Sequence, residues 1–273
     1  MMNFQSLLPI FPAIAVALLF TACEKVVDID LDTAEPRLVI DAAISWEKGT
    51  DGANQRIRLS TTTDYYATEI PPVSGATVQI SNAAGQRFDF VENPGTGEYL
   101  CTDFVPELHG VYELRVTVGD QVYTATETLM PVPEITRIEQ RVLDIFGDNI
   151  EVRFYFNDDG TAENYYLTEI QTDFLLFPSY GLLDNQYTQG NELFQPFIDE
   201  ELDSGGEIQM RLSGISRQFY SFMALILAAT GGNPFSTPPA NIRGNIVNQT
   251  DAGNVALGYF RLSETDTVTY VVE

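Results

Sequence analysis

Short runs of alternating apolar and polar residues, parted by turn formers, fill the chain from Arg37 onward. RLVIDAAIS, QRIRLSTTT, ATVQIS, QRFDFV, VYELRVTV and QVYTATETL succeed one another between Arg37 and Leu129. Runs of this length and spacing predict a β-sandwich over residues 37–130. In VYELRVTV, Tyr112, Leu114, Val116 and Val118 alternate with Glu113, Arg115 and Thr117, which assigns one face to a core and the other to water. Gly119-Asp120 supplies the turn into the next run.

Met130-Pro131-Val132-Pro133 predicts a linker, because paired prolines lack ladder donors and hold a chain extended. A second β-rich domain is expected over residues 131–273, built on EITRIEQRV, NIEVRFYFN, NYYLTEIQT, EIQMRLS, VALGYFRL and VTYVV. A helix near 216–229 interrupts it. Ile215, Phe219, Phe222, Met223 and Ile226 recur at helical spacing, Ser216 is placed to cap the N-terminus, and Gly231-Gly232 ends the element. Its apolar face is expected in the core rather than on a membrane. The segment Thr172 to Gly206 lacks clean periodicity and carries six rings among acidic residues. It predicts an irregular stretch that either buries those rings or presents them to a partner. Phe177, Tyr180 and Phe194 are the candidate contact residues, with Thr230 to Ile246 a candidate extension.

The N-terminus changes the picture. Leu7 to Phe20 is apolar and uncharged, contains Pro9 and Pro12, and ends in Thr21-Ala22-Cys23. The run is short of the ~20 residues of a membrane-spanning helix, so residues 1–22 read as a cleaved signal peptide. Phe20-Thr21-Ala22-Cys23 resembles the bacterial lipobox, with Phe20 in place of the usual Leu and with no Lys or Arg in Met1 to Ser6. The resemblance implies lipid on Cys23, and residues 23–36 become an acidic tether. Gly110-Val111-Tyr112 resembles the Gly-x-Tyr of immunoglobulin-like sandwiches, whose tyrosine bonds back to an upstream corner. Leu114 stands where an immunoglobulin domain has its second cysteine, so an immunoglobulin-like sandwich without a disulfide is expected.

Composition narrows the function. With 14 Lys and Arg against 39 Asp and Glu, the net charge is −25, which excludes nucleic acid as a partner. The 13 Tyr and 17 Phe belong to a folded chain rather than a disordered acidic one. His109 is the single histidine, which removes metal sites built on several imidazoles, and its place before a strand favours a turn over a catalytic triad. Cys101 reads as a buried thiol rather than a nucleophile. Asp28-x-Asp30-x-Asp32 imitates a calcium loop, but Thr33 holds the place of its glycine and Val39 that of its closing glutamate. Asn157-Asp158-Asp159-Gly160 reads as a turn. No phosphate loop or nucleophile elbow is present, and no cofactor is expected. Asp32-Thr33-Ala34 and Asp266-Thr267-Val268 resemble the threonine sites that Bacteroidetes glycosylate on exported proteins, making Thr33 and Thr267 candidate O-glycosylation sites.

Several stretches together resemble a family of Bacteroidetes lipoproteins known as domain of unknown function 4249. They are Cys23-Glu24-Lys25, Arg37 to Ala42, the pair of strands from Gly110-x-Tyr112 to Met130-Pro131, Asn164-Tyr165-Tyr166, Asn233-Pro234-Phe235 and Gly244-Asn245-Ile246. The resemblance implies an outer-membrane lipoprotein, facing periplasm or cell surface, that serves a TonB-dependent transporter as a non-catalytic binding or accessory subunit. The alternative is a surface hydrolase or adhesin on the same anchor. An adhesin favours tandem immunoglobulin-like repeats, which the sequence does not display. A hydrolase requires a polar cleft with a perturbed carboxylate pair. Mass spectrometry of the mature N-terminus should find Cys23 acylated, and Cys23→Ser should leave the membrane fraction. An unmodified Cys23 contradicts the anchor.

Overall fold

The computed structural model describes residues 35–64, 67–143, 149–230 and 242–273. Strands β1 (Leu38–Glu47), β2 (Gln55–Thr61) and β5 (Glu98–Cys101) form one sheet of a first sandwich. β3 (Thr77–Asn82), β6 (Val111–Val118) and β7 (Gln121–Thr128) form the other. β4 (Arg87–Asn93) bonds to β5 on one side and β3 on the other, so the sheet folds over on itself. Ile40, Ala42 and Ile44 of β1 meet Leu114 and Val116 of β6 in one core, each from alternate positions of its strand. The Tyr112 hydroxyl donates to Val105 O at 3.0 Å and accepts from the Glu107 N–H at 2.8 Å. That is the tyrosine corner of immunoglobulin-like sandwiches. Gly110 permits it, since a Cβ there would lie 2.8 Å from Glu107 O.

The second half is also a sandwich. β8 (Ile135–Leu143), β9 (Asn149–Asn157) and β12 (Glu192–Ile198) form a three-stranded sheet. It faces β11 (Ser179–Asp184), β10 (Tyr165–Gln171), β13 (Glu207–Ile215) and β15 (Leu257–Val271). Phe154 and Phe156 of β9 pack there against Tyr166 and Ile170 of β10 and Met210 and Leu212 of β13. Counted in order within each half, omitting the two-residue β14 (Val247–Asn248), the first, second and fifth strands make one sheet. The fourth, third, sixth and seventh make the other. The second sandwich therefore repeats the order of the first, contrary to the expectation of no tandem repeat. Two strands concealed it, because Thr172 to Gly206 is not irregular throughout: β11 and β12 lie between its loops. β12 includes Pro196 and pairs only with β9, the edge position at which proline is tolerated.

The expected division at Met130 also fails. β15 pairs in parallel with β1 from Val39↔Leu257 to Glu47↔Thr265, then antiparallel with β13 from Ser213↔Thr265 to Glu207↔Val271. One strand thus closes both sandwiches, and Phe260 and Leu262 lie in the first core while Val268 and Tyr270 pack on the second. VALGYFRL and VTYVV are parts of one strand. Polar Ser263 to Asp266 continue it because their side chains are acceptors and donors at the junction. Glu264 accepts the Val132 N–H at 2.9 Å and pairs with Lys48 at 3.1 Å, and Asp266 accepts the Ile135 N–H at 2.6 Å. The proline-rich linker is accordingly fastened to β15 along its length.

Residues 242–256 return to the first sandwich. Asn245 brackets the Phe260 peptide, donating to its carbonyl at 2.8 Å and accepting from its N–H at 2.9 Å. Ile246 enters the first core and β14 extends β7. Among the described residues no helix is long and apolar enough to cross a membrane.

Gly214 on β13 is where the linker crosses most closely, since a Cβ would lie 1.9 Å from Pro131 O. Gly214→Ala should destabilise the protein by about 3 kcal/mol, a fall of roughly 6–12 °C in Tm for a domain of this size. Calorimetry showing an unchanged Tm would contradict the fastened junction.

Candidate functional site

The outer face of the shared sheet carries a cleft of about 400 Å³. Its roof is α1 (Arg217–Thr230). Ser216 caps this helix as expected, its Oγ accepting the Phe219 N–H at 3.1 Å while donating to Glu127 at 2.9 Å. The cap fixes the start of α1 over β15, where the rings of Phe219 and Phe222 lie 4.9 and 4.8 Å from that of Tyr259. Only Phe219 of the helix is buried. The remaining apolar residues expected in the core, Phe222, Met223 and Ile226, are half-buried. The floor and far wall come from Asp41 and Ala43 of β1, Leu167 and Glu169 of β10, Tyr180 of β11 and Arg261 of β15. These are sheet residues two apart, so the period of the strands places them all on one face.

Among the carboxylates with shifted ionisation outside the cleft, Glu127 and Asp158 are buried. Glu127 sits behind Tyr259. Burial raises its pKa, against hydrogen bonds from the Thr128 N–H, Ser216 and Tyr259 that lower it. Burial likewise opposes the charge on Asp158, yet Tyr166, Asn185, the Gly190 N–H and Asn164 donate to it and bring it to about 2. With the Gly160 N–H these give five donors at 2.6–3.0 Å. Asp158 thus ties the β9–β10 turn to the β11–β12 loop, and the turn assigned to Asn157 to Gly160 holds. Asn164-Tyr165-Tyr166 takes its meaning here. Cys101 is a free, buried thiol whose pKa burial pushes up to about 11. His109 occupies the turn before β6 with φ 61°.

Cys23, Thr33, the Asp28 to Asp32 run and Asn233-Pro234-Phe235 lie outside the described residues. Thr267 is inside β15, half-buried, with its hydroxyl donated to Glu47 at 2.8 Å, so it is not the free loop hydroxyl that a glycosylation site presents. The three contact candidates separate. Phe177 is 74 % exposed, beside Leu176 at 86 %, in the β10–β11 loop. Tyr180 lines the cleft. Phe194, on the three-stranded sheet, is held 5.3 Å from the Tyr155 ring and 4.5 Å below the Arg153 guanidinium. Sequence reasoning missed Arg261, Glu169 and Asp41, which the pairing of β15 with β1 on one side and with β13, and through it β10, on the other brings together.

Residues 24–269 match the family described as domain of unknown function (DUF4249). The chain belongs to that family. No curated protein matches it. Among solved structures, this DUF4249 chain is similar to a two-domain fibronectin type III segment of chicken tenascin, with 11 % identity, 58 % of this chain and 83 % of that one covered, and a TM-score of 0.22. It is also similar to a DUF4785 family protein of Legionella pneumophila, with 14 % identity, 65 % and 52 % coverage and a TM-score of 0.25. A cytokine receptor complex matches at 9 % identity, 67 % and 86 % coverage and a TM-score of 0.26. The sandwich assignment stands on the strand pairing itself.

Asp158→Asn should cost about 2–3 kcal/mol, because it removes the charge that its donors surround. The depressed folded pKa means that Asp158 stabilises the fold above its unfolded value of about 3.9, and that this is lost as pH falls toward 2. Denaturation between pH 5 and 2 should show a shallower decline in the variant. Parallel declines would oppose the assignment.

Proposed function

We propose that this DUF4249 protein is a lipoprotein of the Bacteroidetes outer membrane, held by acyl chains on Cys23. In this reading it works as a non-catalytic binding or accessory subunit of a TonB-dependent nutrient transporter. The observation that carries the reading is Leu176-Phe177. Two adjacent large apolar side chains, 86 % and 74 % exposed, project from the edge of a sheet fixed in both sandwiches. Tyr187, in the loop joining β11 to β12, is 89 % exposed as well. Exposed apolar clusters on a rigid scaffold suit partner contact, and acyl chains supply the membrane attachment independently. The non-catalytic part is supported by Glu127, Asp158 and Cys101, three of the shifted groups, which are spent on internal hydrogen bonds or buried outside the cleft.

An adhesin on the same anchor is a second reading, favoured by the repeated sandwich order. The two differ in what native protein brings with it from outer membranes. Leu176→Ser with Phe177→Ser should leave Tm unchanged while a β-barrel transporter that copurifies with wild type is lost. Retained copurification by the folded double variant rejects the contact assignment, and recovery of no transporter with wild type rejects the accessory reading.

A further inference from the structure

Arg261 is the one guanidinium that lines the cleft among the described residues, and its acceptors are few. Arg211 and Arg261 both reach Glu169, at 3.4 and 3.5 Å. Among the described residues, the other acceptor for Arg261 is Ser263 Oγ, also at 3.4 Å. All three distances are at the long end for a hydrogen bond. Each guanidinium carries five N–H donors in a planar fork, and Arg211 Nε is buried with no partner. The Arg261 side chain is 13 % exposed, so water has limited access to make up the deficit. A second carboxylate is the acceptor whose geometry fits such a fork.

Around these donors the lining is aromatic and carries unpaired polar groups. Tyr259 and Phe222 form one wall. Tyr180 lies opposite Glu169 in the β10–β11 register. Asp41 is exposed and forms no ion pair among the described residues. The β1–β15 register sets Asp41 beside Tyr259 and Ala43 beside Arg261, so Asp41 and Arg261 are diagonal neighbours on one face. Arg261 in the lining, and Arg58 opposite Asp41 in the β1–β2 register, stand beside Asp41 and Glu169, so this surface carries both signs of charge. A simple anion would also have to approach a chain of net charge −25, which repels it at long range. A molecule with both charges escapes that repulsion.

We propose that the cleft binds a small aromatic zwitterion, an aromatic amino acid or short peptide. Its carboxylate sits on Arg261, its ammonium on Asp41, and its ring against Tyr259 and Phe222. The volume of about 400 Å³ is in the range of small-molecule sites. The proposal rests on reading the protein as a binding subunit and names its ligand class.

Calorimetric titration of the purified full-length protein with phenylalanylphenylalanine tests it without any transporter, so failure here is separate from failure of copurification. Saturable binding is expected below about 1 mM. The C-terminal amide should bind at least tenfold more weakly, the N-acetyl dipeptide several-fold more weakly, and Arg261→Gln should reproduce the loss with the free acid. Asp41→Asn, at an exposed position, should mimic the acetyl effect in a protein of unchanged Tm. Absence of heat up to about 10 mM dipeptide, equal binding of acid and amide to wild type, or undiminished binding by folded Arg261→Gln overturns the proposal.

Discussion

The parallel pairing of β15 with β1 is the interaction on which the rest depends. Nine residues of β15 are registered on β1, and seven, beginning at the shared Thr265, are registered on β13. A slip of one residue in a strand reverses every side chain between its two faces. Here it would expel Phe260 and Leu262 from the first core and Val268 and Tyr270 from the second together. The two sandwiches are therefore registered by one element rather than joined by a hinge. Gly258 shows how tight the seam is, since a Cβ there would lie 2.1 Å from Ile40 O. Thr265 and Glu47, hydrogen-bonded at the seam, are 218 residues apart in sequence. Pairing over such a separation implies slow closure, because chain entropy is lost before the contacts form.

The seam also accounts for part of the acidic excess. A chain that passes between sandwiches leaves peptide N–H groups without ladder partners, and these must be satisfied when buried. Glu264 and Asp266 accept two of them from the linker, and Asp158 accepts two from the loops of the second sandwich. Glu92 does the same at the surface, where hydrogen bonds led by the Gly75 N–H lower its pKa. These carboxylates are parts of the backbone hydrogen bonding as much as of the surface charge.

That double use explains what could be read in advance. The first sandwich was legible because its strands keep period two and end at turn residues, and Tyr112 carried the corner. The cap at Ser216 was legible from local chemistry. β11 and β12 were not, since edge strands with Gly181 and Pro196 look like loop. The continuity of β15 was hidden for a different reason. Ser263 to Asp266 read as a polar break in isolation, and only the neighbouring linker turns their side chains into buried partners. The fold class was thus written in local pattern, whereas the domain relation depended on contacts between distant segments.

The cleft follows from the same long-range pairing. Asp41 enters from the first strand of the first sandwich and Arg261 from the last strand of the second, while Glu169 and Tyr180 come from strands between. None of these residues is near another in sequence, so no motif announces the site. A ligand that spans Asp41 and Arg261 would bind only when β15 lies on β1. By mass action it would stabilise that pairing in proportion to the logarithm of its concentration over Kd. Occupancy of the cleft and integrity of the seam are then thermodynamically linked. The edge that carries Leu176 and Phe177 is registered to the seam through β10 and β13, so this linkage gives a physical route by which a small ligand influences the surface offered to a partner.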